Sequence, residues 1–285
     1  LYDDFRELTP AGPDGDRMIQ RLADRLVAVD LLDRAASLLT HQVRYRLKGE
    51  DRARIGAKLA LILLLDRDAK GALSALRNSF QPNLPYEVED DRRRIRAKAT
   101  MELGRFEDAI ALLAGDISRE ADLLRANIYW KTKDYAESAK VLQRLAGDPI
   151  TDGAYPEDQA RYILSWAVAL RLKRDEAGVK MLRELYGPGM SNGKLADAFA
   201  YISSPSPASA KNIEDMSRRI AETDQFEAFL QNYRERLIPA STKDVAGTPA
   251  GQGADIDAPG RVPAPPVSAE SDPGLVPPPP PPPQS

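Results

Sequence analysis

Cysteine is absent from these 285 residues, and His41 is the single histidine. The first absence excludes disulfides, thiolate metal sites and a cysteine nucleophile. The second excludes a multi-histidine metal site and leaves few side chains that change charge near neutral pH. Long apolar runs are missing as well: the longest, Leu59–Leu65, has seven residues, against the roughly 20 that a membrane-spanning helix needs. No membrane span is therefore expected. No Asn-x-Ser/Thr acceptor occurs. Nor is there a surplus of positive charge, since 40 Lys and Arg face 43 Asp and Glu for a net of −3. Residues 239–285 set Lys243 and Arg261 against Asp244, Asp255, Asp257, Glu270 and Asp272, which accounts for the whole of that −3. Residues 1–238 are thus neutral, which argues against nucleic acid as a partner, because neutralising phosphates takes a basic excess.

Proline is scarce through residue 238 and dense beyond it. Of 23 prolines, 14 lie in residues 239–285, a stretch with no Phe, Trp or Tyr that ends in Pro277–Pro283. Such a segment buries too little apolar surface to offset the entropy of ordering it, so a disordered tail is expected, with extended polyproline II in the proline run. That run is also a candidate ligand for a polyproline-binding partner. The remaining prolines, Pro10, Pro13, Pro82, Pro85, Pro149, Pro156, Pro188, Pro205 and Pro207, punctuate the body, and the intervals between them read as helices.

Internal similarity is the strongest positive signal. Residues 31–39, 68–76, 105–113, 134–142 and 174–182 each place a small side chain in one column: Ala35, Ala72, Ala109, Ser138 and Gly178. An apolar pair follows in each, from Leu38–Leu39 to Met181–Leu182. Twelve residues before each small position stand Ala23, Ala60, Ala97, Ala126 and Trp166. Small residues in both columns let two helix backbones approach closely, and short turns such as Leu103-Gly104-Arg105 force antiparallel packing. One such pair cannot bury its apolar faces alone, so neighbours must stack.

Ala126-Asn127-Ile128-Tyr129-Trp130, followed by Asp134-Tyr135 and Ser138, resembles the tetratricopeptide repeat (TPR) family, with Gly104, Phe106 and Ala109 matching its second half. Trp166, Ala69 and Asp175 depart from the pattern, and three of the four repeat intervals are longer than the family's. The resemblance covers about Asp16 to Leu185. The stretch around Leu22–Leu39 is also similar to the C-terminal part of large alphaproteobacterial TPR proteins. What this implies is an all-α, right-handed superhelical solenoid of about five to six antiparallel helix pairs over residues 16–238. Residues 1–15 would be a linker or the end of an upstream repeat. Asn192–Ile202 and Ala208–Ala221 would form a last pair. A capping helix carrying Phe226, Phe229, Leu230, Tyr233 and Leu237 would close the array before the tail at 239–285. In that family the first helices line a concave groove that holds extended peptides or partner helices. By resemblance the groove positions here are Arg94, Lys98, Asn127, Trp130 and Lys131.

Other candidates yield to simpler readings. Gly187–Lys194 imitates a phosphate-binding loop, but Pro188 stands where its first glycine belongs and Leu195 where Ser or Thr belongs, so a turn between repeats is expected. The acids at Asp14–Asp16 and Glu87–Asp91 sit where helices begin, as the helix dipole favours. The run Arg92, Arg93, Arg94, Arg96 and Lys98 reads as a solvated helix face paired with those acids. His41 has Tyr45, not a metal ligand, one turn later. No catalytic set, cofactor site or metal site emerges. The expected function is a non-enzymatic protein–protein interaction scaffold or adaptor, part of a longer bacterial protein, binding a protein or peptide. The alternative is a structural or regulatory domain of an enzyme whose catalytic part lies upstream. Cytoplasm and periplasm both fit, with the proline-rich tail leaning toward the cell envelope.

Overall fold

The computed structural model describes residues 12–205, 212–213 and 215–218. All of them lie in the first of the two units into which the chain divides, Leu1–Asp244 and Val245–Ser285. The expectations for residues 1–11, the capping helix at 222–238 and the proline-rich tail fall outside the described residues. Among the described residues every regular element is an α-helix and there is no strand. The helices are α1 (Pro13–Ala28), α2 (Leu32–Tyr45), α3 (Gly49–Leu65), α4 (Ala69–Asn78), α5 (Tyr86–Glu102), α6 (Phe106–Leu112), α7 (Arg119–Lys131), α8 (Tyr135–Ala146), α9 (Glu157–Leu172), α10 (Glu176–Met190) and α11 (Ala196–Ser203). None is long and apolar enough to cross a membrane. Each helix packs on the next in sequence, while α3 also meets α5, α5 meets α7, and α9 meets α11.

One turn recurs five times. Asp30, Arg67, Gly104, Lys133 and Arg174 all adopt positive φ, between 60° and 75°. The amide after each donates to the carbonyl five residues back: Leu31 to Leu26, Asp68 to Leu63, Arg105 to Thr100, Asp134 to Tyr129 and Asp175 to Leu170, at 2.7–3.2 Å. This left-handed closure satisfies carbonyls at the helix end and reverses the chain at once. In three of the five, an aspartate then caps the next helix. Asp68 accepts from the Gly71 amide at 2.8 Å, Asp134 from Glu137 at 3.1 Å and Asp175 from Gly178 at 2.8 Å. Only Gly104 meets the left-handed requirement without a side chain. A Cβ there would touch nothing within 4 Å, so Gly104→Ala is expected to cost backbone strain alone, about 1 kcal/mol, with unchanged helix content. Urea unfolding followed by circular dichroism measures both.

These turns set the register of the repeat. Seven residues before each stand Ala23, Ala60, Ala97, Ala126 and Ala167, none more than 1% exposed. Five residues after the first four stand Ala35, Ala72, Ala109 and Ser138, and Val179 follows the fifth; these are equally buried. The expectation that put Trp166 and Gly178 in these columns is therefore one residue out of step in the last pair. Trp166 instead packs edge-on against Tyr186, with ring centroids 5.4 Å apart. Gly178 leaves room for the Asp175 cap, whose carboxylate carbon lies 2.9 Å from where its Cβ would be.

The core has two lobes that share α7. Leu124 and Ile128 join the cluster running from α1 to α7. Leu123, Ala126 and Trp130 join the one running on to α11. A helix apolar on two sides shows a blurred period, which is why α7 reads as weakly amphipathic. Past α10, the Gly187–Lys194 stretch corrects the expected turn: α10 continues through Pro188 to Met190. Gly189 serves packing there, since a Cβ would lie 2.5 Å from the Tyr155 ring and 2.6 Å from Ile150.

Candidate functional site

The five groove positions lie on α5 and α7, and the structure divides them. The Arg94 Nε donates to Asp116 at 2.7 Å, and the Arg94 guanidinium also meets Asp91 at 3.2 Å. Burial pushes the Asp116 carboxyl up. Hydrogen bonds from Arg94 and Ser118 more than reverse that, holding its pKa at about 2. Lys98 is 1% exposed, its Nζ 2.6 Å from Glu102. Asn127 and Trp130 are buried too, at 7% and 5%. Lys131 alone among the five is exposed, with Glu102 4.0 Å from its Nζ.

The basic run on α5 is accordingly not a solvated face. Arg92 is 1% exposed. Its Nη1 donates to the Ala53 carbonyl at 2.7 Å and to the Ser79 hydroxyl at 3.1 Å, and its Nη2 donates to the Leu76 carbonyl at 2.6 Å. The guanidinium thus takes up a carbonyl at the C-terminal end of α4, where backbone acceptors lack helical partners and positive charge is favoured. Acids pair with part of the run as expected, Asp90 with Arg93 at 2.6 Å among them, but the net effect is to lock α5 onto α3 and α4.

Burial pushes the Lys98 amine down to about 8; Glu102 opposes that shift and Lys131 adds to it. The sign is that of a buried base. With the folded pKa below the ordinary 10.5, the charged form weakens the fold, and stability rises as pH climbs from about 8 toward 10.5. Lys98→Met is therefore expected to be more stable than the parent at pH 7, by up to about 3 kcal/mol, with the difference closing by pH 10.5. Parallel urea titrations at pH 7, 9 and 10.5 read this directly.

Trp130 and Lys131 open onto a cavity of about 540 Å³ that Lys133, Tyr135, Leu172, Ser217 and Arg218 complete. Trp130 meets Tyr135 edge-to-face at 5.8 Å, and its indole N–H donates to the Ser217 carbonyl at 3.3 Å. Among the described residues the lining holds three cations, two aromatic rings and no carboxylate. Asp134, in the same turn, is turned away to cap α8. Arg218 is 3.3 Å from Asp215, whereas Lys133 makes no ion pair among the described residues. Sequence reasoning found Trp130 and Lys131 and quoted Tyr135 only as a repeat residue. It missed Lys133, Leu172, Ser217 and Arg218. Lys133 sits one residue before the cap of the recurring turn, a position the repeat register locates. Ser217 and Arg218 return from more than 80 residues away, and no local pattern announces that.

Among the described residues no three His, Asp or Glu side chains converge to hold a metal ion. No protein-family model matches the chain, and no curated protein or solved structure matches it significantly.

Proposed function

We propose that this chain is a non-enzymatic protein-interaction module, a TPR-like right-handed solenoid that binds an acidic peptide or partner helix at the Trp130 cavity. The observation carrying this reading is the lining itself, where Lys131, Lys133 and Arg218 share one cavity with Trp130 and Tyr135 and no acid joins them among the described residues. Cations on a rim select carboxylates and set the rate of encounter. The rings and Leu172 supply apolar area for a side chain of the partner, the usual composition of an energetic centre in an interface. The five equivalent turns and the alanine column favour the solenoid, since stacked hairpins of this kind present a continuous face built from their first helices.

Lys131 and Lys133 are exposed, so reversing their charge leaves the core intact. Capture from a lysate of the source organism with the full chain, beside the Lys131→Glu/Lys133→Glu variant, tests the reading. A partner recovered by the parent and lost, by tenfold or more, with the variant is the expected result. Recovery of the same partners by both proteins would remove the cavity from the interface.

A further inference from the structure

Because consecutive helices run antiparallel, the recurring turns fall along one edge of the stacked hairpins. Neighbouring turns touch there. Partial loss of hydration pushes the Asp66 carboxyl of the second turn up, and Asp33, Asp68 and Asp30 push it further, Asp33 also through a side-chain hydrogen bond. Glu102, before the third turn, reaches within 4.0 Å of Lys131, before the fourth. The edge thus carries acids at its first turn and cations at its fourth. Asp30, Asp33 and Asp66 are exposed and form no ion pair among the described residues, although Arg34 and Arg67 stand beside them in sequence. Val29 and Leu31 lie on either side of Asp30 and are 65% and 42% exposed. The first turn therefore presents apolar side chains flanked by uncompensated carboxylates. At the fourth turn Lys131 and Lys133 are exposed, as is Arg218, and they line one cavity with the half-buried Tyr135 and Leu172. Each surface offers what the other lacks.

We propose that the acidic segment held at the Trp130 cavity is the first hairpin turn, residues 29–33, of a second copy of this chain; this rests on the cavity being an acid-binding site. Asp30 and Asp33 of one copy meet Lys131, Lys133 and Arg218 of the other, while Val29 and Leu31 lie on Tyr135 and Leu172. The cations neutralise carboxylates that repel one another in the single chain. Both surfaces lie on the same edge, so two copies set antiparallel along it make the contact twice, and two-fold symmetry closes them into a dimer rather than a filament. Tyr86, beside Glu87 and Glu89, has a similar composition. It begins α5, however, on the opposite edge from the turns, about 25 Å away along the helix, where it cannot take part in that reciprocal contact.

Sedimentation equilibrium of the full chain reads the dimer, with two charge-reversed proteins beside the parent. One is Lys131→Glu/Lys133→Glu. The other is Asp33→Lys/Asp66→Lys, which leaves Asp30 at its positive φ and Asp68 on its cap. All four positions are exposed, and circular dichroism verifies that both variants keep the parent's helix content. The parent is expected to dimerise, each variant to dimerise about tenfold or more weakly, and the dimer to weaken as salt rises. Mixing the two variants should restore association, because each then offers the other a complementary turn and a complementary cavity. A parent that stays monomeric at every concentration would overturn the proposal. So would a dimer that either variant leaves unchanged, or two variants that remain apart when mixed. A dimer broken by Tyr86→Ser and by neither charge reversal would move the contact to the opposite edge. Titration with acidic peptides separates the two readings: a monomeric parent that still binds them through Lys131 and Lys133 keeps its acid-binding cavity and loses only this partner.

Discussion

Arg92→Met is expected to lower stability by about 3–5 kcal/mol, the largest loss foreseen for a single polar side chain here. The methionine retains the aliphatic packing but none of the donors. The carbonyls of Ala53 and Leu76 and the Ser79 hydroxyl would each lose a hydrogen bond that the guanidinium makes at 3.1 Å or less. Burial already pushes the Arg92 guanidinium below its ordinary pKa, so its charge is held in place by those acceptors. Arg92→Lys keeps the charge but not the fork that reaches α3 and α4 together, and should recover only part of the loss. Urea midpoints for parent, Met and Lys variants measure the series. If the Met variant unfolded within 1 kcal/mol of the parent, Arg92 would not be the lock between α5 and its neighbours.

Gly56→Ala is expected to cost about 2–3 kcal/mol, although alanine is the better helix former by about 1 kcal/mol. Gly56 sits within α3 where Ser79 closes α4. A Cβ would lie 1.9 Å from the Ser79 Oγ and 2.2 Å from its Cβ. Ser79 is fully buried, and its hydroxyl is already bound to the Ala75 carbonyl at 2.7 Å, so it has nowhere to go. The helices must separate, and Arg92 loses its grip on both. The check is the reciprocal change. Ser79→Gly costs stability in the parent, yet in the Gly56→Ala background it should restore at least half of what was lost. Such coupling is expected only between residues in direct contact. Additive losses would mean that α3 and α4 do not meet there.

How much of this was legible in the sequence follows from what each feature depends on. The all-helical body and its hairpins rest on local rules: small-residue columns, short turns, and prolines confined to the intervals between most helices. Ala23, Ala60, Ala97 and Ala126 were placed correctly for that reason. The register slipped in the last pair because Trp166 and Gly178 sit one residue from Ala167 and Val179, and only the positive φ at Arg174 fixes the count. The basic run of α5 was misread because alternation of charge looks the same whether a guanidinium faces water or a helix end. Arg92 finds its acceptors in α3 and α4, and nothing within α5 signals them. The Pro188 stretch failed for a similar reason. Gly189 is set by Tyr155 and Ile150, and a packing glycine is spelled like a turn glycine. At the candidate site, Trp130 and Lys131 came from the resemblance to the TPR family, while Arg94 and Lys98 from the same source are tied up in buried ion pairs. Ser217 and Arg218 reach the cavity through long-range packing.

The most direct test of an acidic-segment site at Trp130 is a selection of displayed random peptides on the full chain, with every enriched sequence titrated against parent and Lys131→Glu/Lys133→Glu protein. An interaction module of the kind proposed predicts enrichment of peptides in which Asp or Glu flank an apolar or aromatic residue, with affinity falling tenfold or more on the charge-reversed variant and with rising salt. Selected peptides without acidic character, or acidic peptides that bind both proteins equally, would contradict it.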